Sequence, residues 1–273
     1  MVIATFNEER NIKACLDSVK DLADEVVVVD GHSQDETVHQ VKKFVKLERE
    51  RKSKLKVKLI QTSNKMMFHR NKQLGLEKAA GDWILQLDAD ERVASALSAE
   101  ISSKVHQVQQ VNGFFIPRKN YFLGRFLKKG GQYPDDVIRL IKKGKAHFPC
   151  QSVHEQIRVD GQVDYLKNDL IHLTAPTLSD YLRNANRYTT LTAWRMKKEG
   201  QDLHFFSQLK YLFWLPLKTF FKLYFRHKGF QDGFPGFIFA LFSGLHYSIA
   251  FIKYWEKEKT GGDFNLAKDW QSK

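Results

Sequence analysis

Residues 83–92 read Trp-Ile-Leu-Gln-Leu-Asp-Ala-Asp-Glu-Arg, an almost wholly apolar run that ends abruptly in acids. A strand covered on both faces of a parallel sheet has this composition, and such sheets bind ligands beyond the carboxyl ends of their strands. The run therefore predicts a buried strand from Trp83 to Leu87 that delivers Asp88 and Asp90 to a functional edge. Upstream, the same unit repeats. Val2 to Thr5 reads as a strand, followed by a helix whose Ile12, Cys15, Leu16 and Val19 share one face at i, i+3, i+4 and i+7. Glu25 to Val29 is a second strand. Ser33 with Glu36 three residues later forms a capping-box pattern, opening a helix with Val38, Val41, Phe44 and Val45 turned inward. Lys56 to Ile60 and then Phe68 to Ala80 give a third strand and helix. This alternation specifies an α/β fold of doubly wound topology.

Beyond Asp90 a helix carrying Leu97, Ile101, Val105 and Val108 is expected, and then the pattern loosens. Short strands are predicted at 113–118, 137–141, 156–159 and 170–173, followed by a helix over 178–198 with Tyr181, Leu182, Ala185, Tyr188 and Leu191 on one face. The expected organisation is one α/β domain over 1–200 in two halves (1–92 and 93–200), with a helical extension over 201–273. That extension is aromatic-rich: residues 203–255 hold 18 of the 35 aromatics, six Lys/Arg and a single acid, Asp232.

With 273 residues, 42% hydrophobic and 27% charged, the chain has globular usage, which excludes disordered and fibrous classes. Its 44 basic against 31 acidic residues give a net charge of +13, which predicts an anionic partner. Nucleic acid is not the expected one. There is no Walker loop, no G-x-G-x-x-G and no zinc-finger spacing, and the basic stretch 42–58 reads as the solvated face of a helix. Cys15 and Cys150 are too few for a disulfide framework, so a reducing compartment is expected. Residues 1–30 lack the signal-peptide pattern, which points to the cytoplasm. Gly233 to Ile252 is free of Asp, Glu, Lys and Arg for 20 residues, the length of a bilayer span, yet it holds three glycines, a proline and a histidine.

Polar residues stand after each strand: Thr5, Asn7, Glu8 and Glu9; Asp30-Gly31-His32-Ser33; Asp88-Ala89-Asp90-Glu91. Carboxylates gathered at one edge repel unless a cation neutralises them, and a hard divalent ion suits oxygen ligands. Asp88 and Asp90 would present one carboxylate to a metal and the other to a sugar hydroxyl. Asp30 has a second reading as a turn residue whose carboxylate accepts backbone N–H bonds. His69, His147, His204, His227 and His246 have no ligand spacing.

The segments Ile3-Ala4-Thr5-Phe6-Asn7-Glu8-Glu9, Val28-Val29-Asp30-Gly31-His32-Ser33, Arg70-Asn71 with Ala79-Ala80-Gly81-Asp82-Trp83, and Leu87-Asp88-Ala89-Asp90-Glu91-Arg92 resemble, in order and spacing, the successive motifs of family 2 glycosyltransferases. The segments Val153-His154-Glu155, His172 and Asn186-Arg187-Tyr188-Thr189 resemble the subgroup that contains lipopolysaccharide core β-glucosyltransferases. One departure is that only four residues precede Thr5, which leaves two readings, a misplaced start of the chain or a shortened first strand. The resemblance implies a GT-A fold, Rossmann-like with a mostly parallel central sheet, and inverting transfer of a sugar from a nucleotide diphosphate donor, a UDP-sugar foremost. It implies that Thr5, Asn7 and Glu8 line the nucleotide pocket, Asp30 bonds the base, Arg70 contacts the nucleotide and Asp88 lies near the ribose. It also implies that Asp90 binds Mn²⁺ or Mg²⁺ with His172 as a further ligand, and that Glu155 is the general base. From the residues alone, Glu155 also reads as a strand-edge surface carboxylate and His154 as a packing residue.

Aromatics interleaved with Lys210, Lys218, Lys222, Arg226 and Lys228 suit a helix lying in an anionic membrane interface, and equally a helical extension packed on the catalytic domain. The function expected is sugar transfer to a hydroxyl of a cell-envelope glycan or lipid-linked acceptor, peripheral on the inner face of the cell membrane. Two alternatives are a polyprenyl-phosphate sugar transferase and a non-catalytic basic module binding glycans or membranes. A phosphate acceptor would need no strong base, so loss of activity in Glu155→Gln separates the first; metal-dependent turnover of a sugar nucleotide excludes the second.

Overall fold

The computed structural model of the protein describes residues 1–63, 69–107, 110–150 and 156–266. The chain forms two compact units, Met1–Arg118 with Asp135–His172, and Lys119–Pro134 with Leu173–Lys273. In chain order, β1 (Val2–Thr5), α1 (Ile12–Val19), β2 (Glu25–Asp30), α2 (Thr37–Glu50), β3 (Lys56–Gln61), α3 (His69–Lys78) and β4 (Trp83–Asp88) alternate as the hydropathy pattern requires. There follow β5 (Glu91–Val93), α4 (Ser95–Gln107), β6 (Val111–Phe122), β7 (Arg125–Phe126), β8 (Asp135–Lys142), β9 (Ala146–His147), β10 (Arg158–Val159), β11 (Gln162–Tyr165) and β12 (Leu170–Ala175). The C-terminal helices are α5 (Leu178–Lys198), α6 (Phe205–Leu209), α7 (Leu215–Phe221) and α8 (Gly233–Thr260).

The main sheet runs β3-β2-β1-β4-β8-β6-β12-β5. Its first four strands are parallel, while β8 lies antiparallel to both β4 and β6. Strand order reverses between β1 and β4, and this switch point is where an open α/β sheet leaves a crevice for ligand. Register carries the predicted acids to that edge: Thr5 pairs with Asp30 across β1 and β2, and Ala4 with Asp88 across β1 and β4.

The unbroken apolar run of β2 follows from coverage on both faces. Val26 and Val28 join Ile3, Leu85 and Leu87 under α1 and α2, burying Ile12, Cys15, Leu16, Val19, Val41 and Phe44. Val27 and Val29 join Val2 and Ile84 on the other face, beneath Leu76 and Ala79. There α3 presses so close that a Cβ on Gly75 would sit 2.3 Å from Val2 Cγ1, so only glycine fits.

The structure departs from the sequence expectations at several points. The Ser33/Glu36 capping box does not form: α2 begins at Thr37, Ser33 Oγ bonds Asp30, and Asp35 Oδ1 accepts from Thr37 N at 3.0 Å instead. On α2 Glu48 is buried while Val38 and Val45 are half-buried. β6 extends to Phe122, and Phe68 and Val108 lie outside the described residues. In the second compact unit α5 packs with α8. Leu182 and Tyr188 are exposed, and α5 buries Arg187, Thr189, Thr190, Leu191, Ala193 and Met196. Part of that seam is polar, with Lys253 Nζ donating to Asn186 O (2.7 Å), Thr189 Oγ1 (2.9 Å) and Thr190 Oγ1 (2.9 Å), which apolar periodicity cannot register.

Candidate active site

The chemistry-bearing residues of the first unit gather at the carboxyl end of β4. Asp88 is bracketed by two cations from different elements: Lys72 Nζ of α3 lies 2.5 Å from Oδ1, and the Arg139 guanidinium of β8 lies 2.5 Å from Oδ2. Arg139 also bonds Gln86 and Glu91, the latter at 2.7 Å. Glu91, fully buried, returns its other oxygen to the Asp88 backbone N–H at 2.9 Å and meets Arg118 at 3.3 Å. Arg118 closes the set on Asp135 at 2.6 Å. Three acids thus meet three bases. Burial works against the charge on Asp88, but Arg139 and Lys72 hold its carboxyl well below the usual range. Burial pushes the Lys72 ammonium down, and Asp88 opposes that shift. The acids at this edge are therefore neutralised largely by the chain's own side chains, where the sequence alone suggests a metal.

Asp90 sits apart from this set. Antiparallel pairing of β12 with β5 sets His172 opposite Glu91, and His172 Nε2 lies 3.4 Å from Asp90 Oδ2. Burial opposes charge on both groups, yet their mutual attraction lowers the Asp90 pKa and raises that of His172. No cluster of three His, Cys, Asp or Glu ready to hold a metal occurs among the described residues. A carboxylate oxygen and a neutral imidazole nitrogen are donors that would fit a divalent ion such as Mn²⁺ or Mg²⁺.

The loops after β1 and β2 are laced together. Asn7, in the left-handed region at φ 53°, donates its backbone N–H to Ser33 Oγ at 2.9 Å and accepts from Gln34 N at 2.7 Å. Glu8 N donates to Thr37 Oγ1 at 2.7 Å, and the Glu8 carboxylate accepts from Asn11 at 2.9 Å. Asp30, fully buried, accepts from Ser33 N at 3.0 Å and from Ser33 Oγ, the turn role that sequence reading holds open for it. Thr5 Oγ1 is buried with no hydrogen-bond partner among the described residues, a cost that a ligand hydrogen bond would remove. Arg70 is exposed on the first turn of α3. Glu155, with Val153 and His154, lies outside the described residues.

Residues 1–148, more than half of the chain, match the sequence model of the glycosyl transferase family 2 domain. The chain belongs to glycosyl transferase family 2. It is a glycosyltransferase, and the sheet described above is the GT-A fold of that family. A lipopolysaccharide core biosynthesis glycosyltransferase of Rhizobium meliloti, LpsC, is 26% identical over 262 residues, covering 93% of this chain and 91% of that protein. An uncharacterised glycosyltransferase of Rickettsia typhi is 28% identical over 247 residues, covering 86% and 79% respectively. Among solved structures, a mannosyltransferase of Pyrobaculum calidifontis in complex with GDP-Man and Mn²⁺ aligns at TM-score 0.49 and 15% identity, over 98% of this chain and 76% of that one.

For this family 2 enzyme, sequence reading brings forward Thr5, Asn7, Glu8, Asp30, Asp88, Asp90 and His172, and it misses Lys72, Arg139 and Arg118. Lys72 directly follows the Arg70-Asn71 motif and was open to notice. Arg139 lies 51 residues from Asp88 on an antiparallel strand, and only strand pairing reveals it.

Proposed function

We propose that the chain is an inverting transferase that moves a sugar from a nucleotide-diphosphate sugar, a UDP-sugar foremost, to a hydroxyl of a cell-envelope glycan or lipid-linked acceptor at the inner face of the cell membrane. The carrying observation is the unequal treatment of the two acids at the end of β4 and just after it: Asp88 is matched by Lys72 and Arg139, while among the described residues Asp90 is paired with His172 alone of the bases. Thr5, Asn7, Glu8, Asp30 and Arg70 bind the nucleotide, and the unpartnered Thr5 hydroxyl supports this. Asp88, fixed by its two cations, keeps further lone pairs for a ribose hydroxyl. Asp90 and His172 hold Mn²⁺ or Mg²⁺, which when bound supplies Lewis-acid stabilisation of the charge on the leaving diphosphate. Glu155 accepts the proton of the acceptor hydroxyl as it attacks the anomeric carbon from the opposite face. The Rhizobium meliloti relative, a lipopolysaccharide core biosynthesis glycosyltransferase alignable over 91% of its length, supports an envelope glycan as acceptor.

The test is a panel of UDP- and GDP-sugars with and without Mn²⁺, read as thermal stabilisation and as nucleotide release. One donor class stabilises the chain selectively. Asp90→Ala loses the metal response, and Glu155→Gln keeps donor affinity while losing transfer. Metal-stimulated turnover that survives Asp90→Ala would sink the assignment.

A further inference from the structure

Within the second unit, the run 205–226 presents two adjacent exposed rows. One is apolar, with Phe213, Leu217, Phe221 and Phe225 at four-residue intervals. The other, one residue further along, is Lys218, Lys222 and Arg226, with Trp214 and Lys210 continuing it toward the N-terminus. A four-residue row drifts around an α-helix of about 3.6 residues per turn, and the wider π-turns at Lys210–Trp214 and Lys222–Arg226 take that drift back. Both rows therefore stay on one side for the whole length of the run.

The opposite side is occupied. A Cβ on Gly244 of α8 would lie 2.6 Å from Pro216 O, and Ser248 Oγ bonds Tyr211 O at 3.2 Å. α8 and the run 205–226 thus form an antiparallel pair closed through small residues. The single acid in 203–255, Asp232, is buried and accepts from the backbone N–H groups of Lys128 (3.1 Å) and Lys129 (2.7 Å), so it adds no negative charge to the exposed rows.

We infer that this helical pair lies in the plane of an anionic phospholipid surface, with the phenylalanine and leucine row in the acyl boundary and the lysine and arginine row on the headgroup phosphates. This deepens the membrane-side reading above and rests on it only for the lipid-linked acceptor. By length and composition α8 is apolar enough to cross a membrane. Its partner is not: crossing would carry Lys218 and Lys222 into hydrocarbon alongside it. An apolar row flanked by snorkelling cations is the arrangement of an interfacial helix.

The experiment is flotation of the full chain with vesicles of phosphatidylcholine alone or with phosphatidylglycerol, alongside donor-dependent nucleotide release. The chain floats with the anionic vesicles, is stripped from them by alkaline carbonate, and is lost from them at high salt. Each basic residue near such a surface contributes on the order of fivefold in partition, so Lys218→Gln/Lys222→Gln/Arg226→Gln lowers it by about 100-fold. Phe213→Ser/Phe221→Ser, at exposed positions, also lowers flotation while retaining thermal stability and nucleotide release. Equal binding to neutral vesicles, unchanged flotation of the charge variants, resistance to carbonate, or a stable dimer that does not float would each overturn the docking. Absence of donor turnover in a chain that floats normally would count against the transfer reading and leave the docking standing.

Discussion

Arg139→Met isolates what the charge cluster contributes. The substitution keeps an apolar stem of similar length and removes one of the three bases that face Asp88, Glu91 and Asp135. Glu91 is fully buried and is left with Arg118 at 3.3 Å, while Asp88 keeps Lys72. Deleting one partner of a buried, hydrogen-bonded ion pair costs about 3 to 5 kcal/mol, because the surviving charge has lost its compensation. For a chain of this size about 2 to 4 °C of Tm accompanies each kcal/mol, so the expected loss is about 10 °C. Protection of the β4 and β8 amides against hydrogen exchange falls with it, which assigns the loss to the first unit. Adding Glu91→Gln removes the stranded charge, and the double variant loses about 1 to 3 kcal/mol less than the sum of the singles. A single variant within about 1 kcal/mol of the parent, or strict additivity in the cycle, would refute the view that these charges form one mutually compensated unit.

Two other substitutions test a buried hydroxyl and a buried carboxylate. Thr5→Val keeps shape and removes a buried hydroxyl that has no partner among the described residues, so stability is unchanged or rises. Nucleotide diphosphate affinity nevertheless weakens by about five- to tenfold, the value of one hydrogen bond, as titration calorimetry reads it. Glu25 links β2 to its neighbours, accepting from Lys58 Nζ at 2.6 Å and from Ala80 N at 2.7 Å. Burial opposes its charge, but these two donors hold its carboxyl below the usual range. Its contribution to stability is complete above the ordinary carboxylate pKa and is lost as pH falls through the lowered one. Glu25→Gln therefore flattens the acid limb of a Tm against pH curve while changing the slope near neutrality little.

The parts of the molecule legible in the sequence are those governed by short-range pattern. Val26 to Val29 alternate between two buried faces, and no other placement of four consecutive valines in a sheet is as favourable, so strand and parallel sheet follow together. Ile12, Cys15, Leu16 and Val19 are all fully buried as their spacing requires. The capping of α2 was not legible, because Ser33 has competing partners in Asp30 and Asn7, brought to it by the β1–β2 register. The buried face of α5 is illegible for a related reason. Lys253, more than 60 residues away, makes a polar seam attractive, and hydropathy treats such positions as surface. Arg139 escapes for the same cause: the sequence advertises acids at strand ends, but the base that balances them arrives from a strand added later and running the other way.

The same balance explains how two carboxylates two residues apart can do different work. Asp88 is held at 2.5 Å by each of two cations, and an ion bound there would have to displace one of them and strand it in a largely buried setting. Among the described residues Asp90 faces one imidazole, His172 at 3.4 Å, a side chain that would turn from counter-charge to co-ligand by releasing its proton. A divalent ion entering this edge therefore meets resistance at Asp88 and a donor pair at Asp90 and His172. The bases beneath β4 balance the acids they face, so the net charge of +13 is carried elsewhere, in part by the stretch 42–58 and by the exposed row that ends at Arg226.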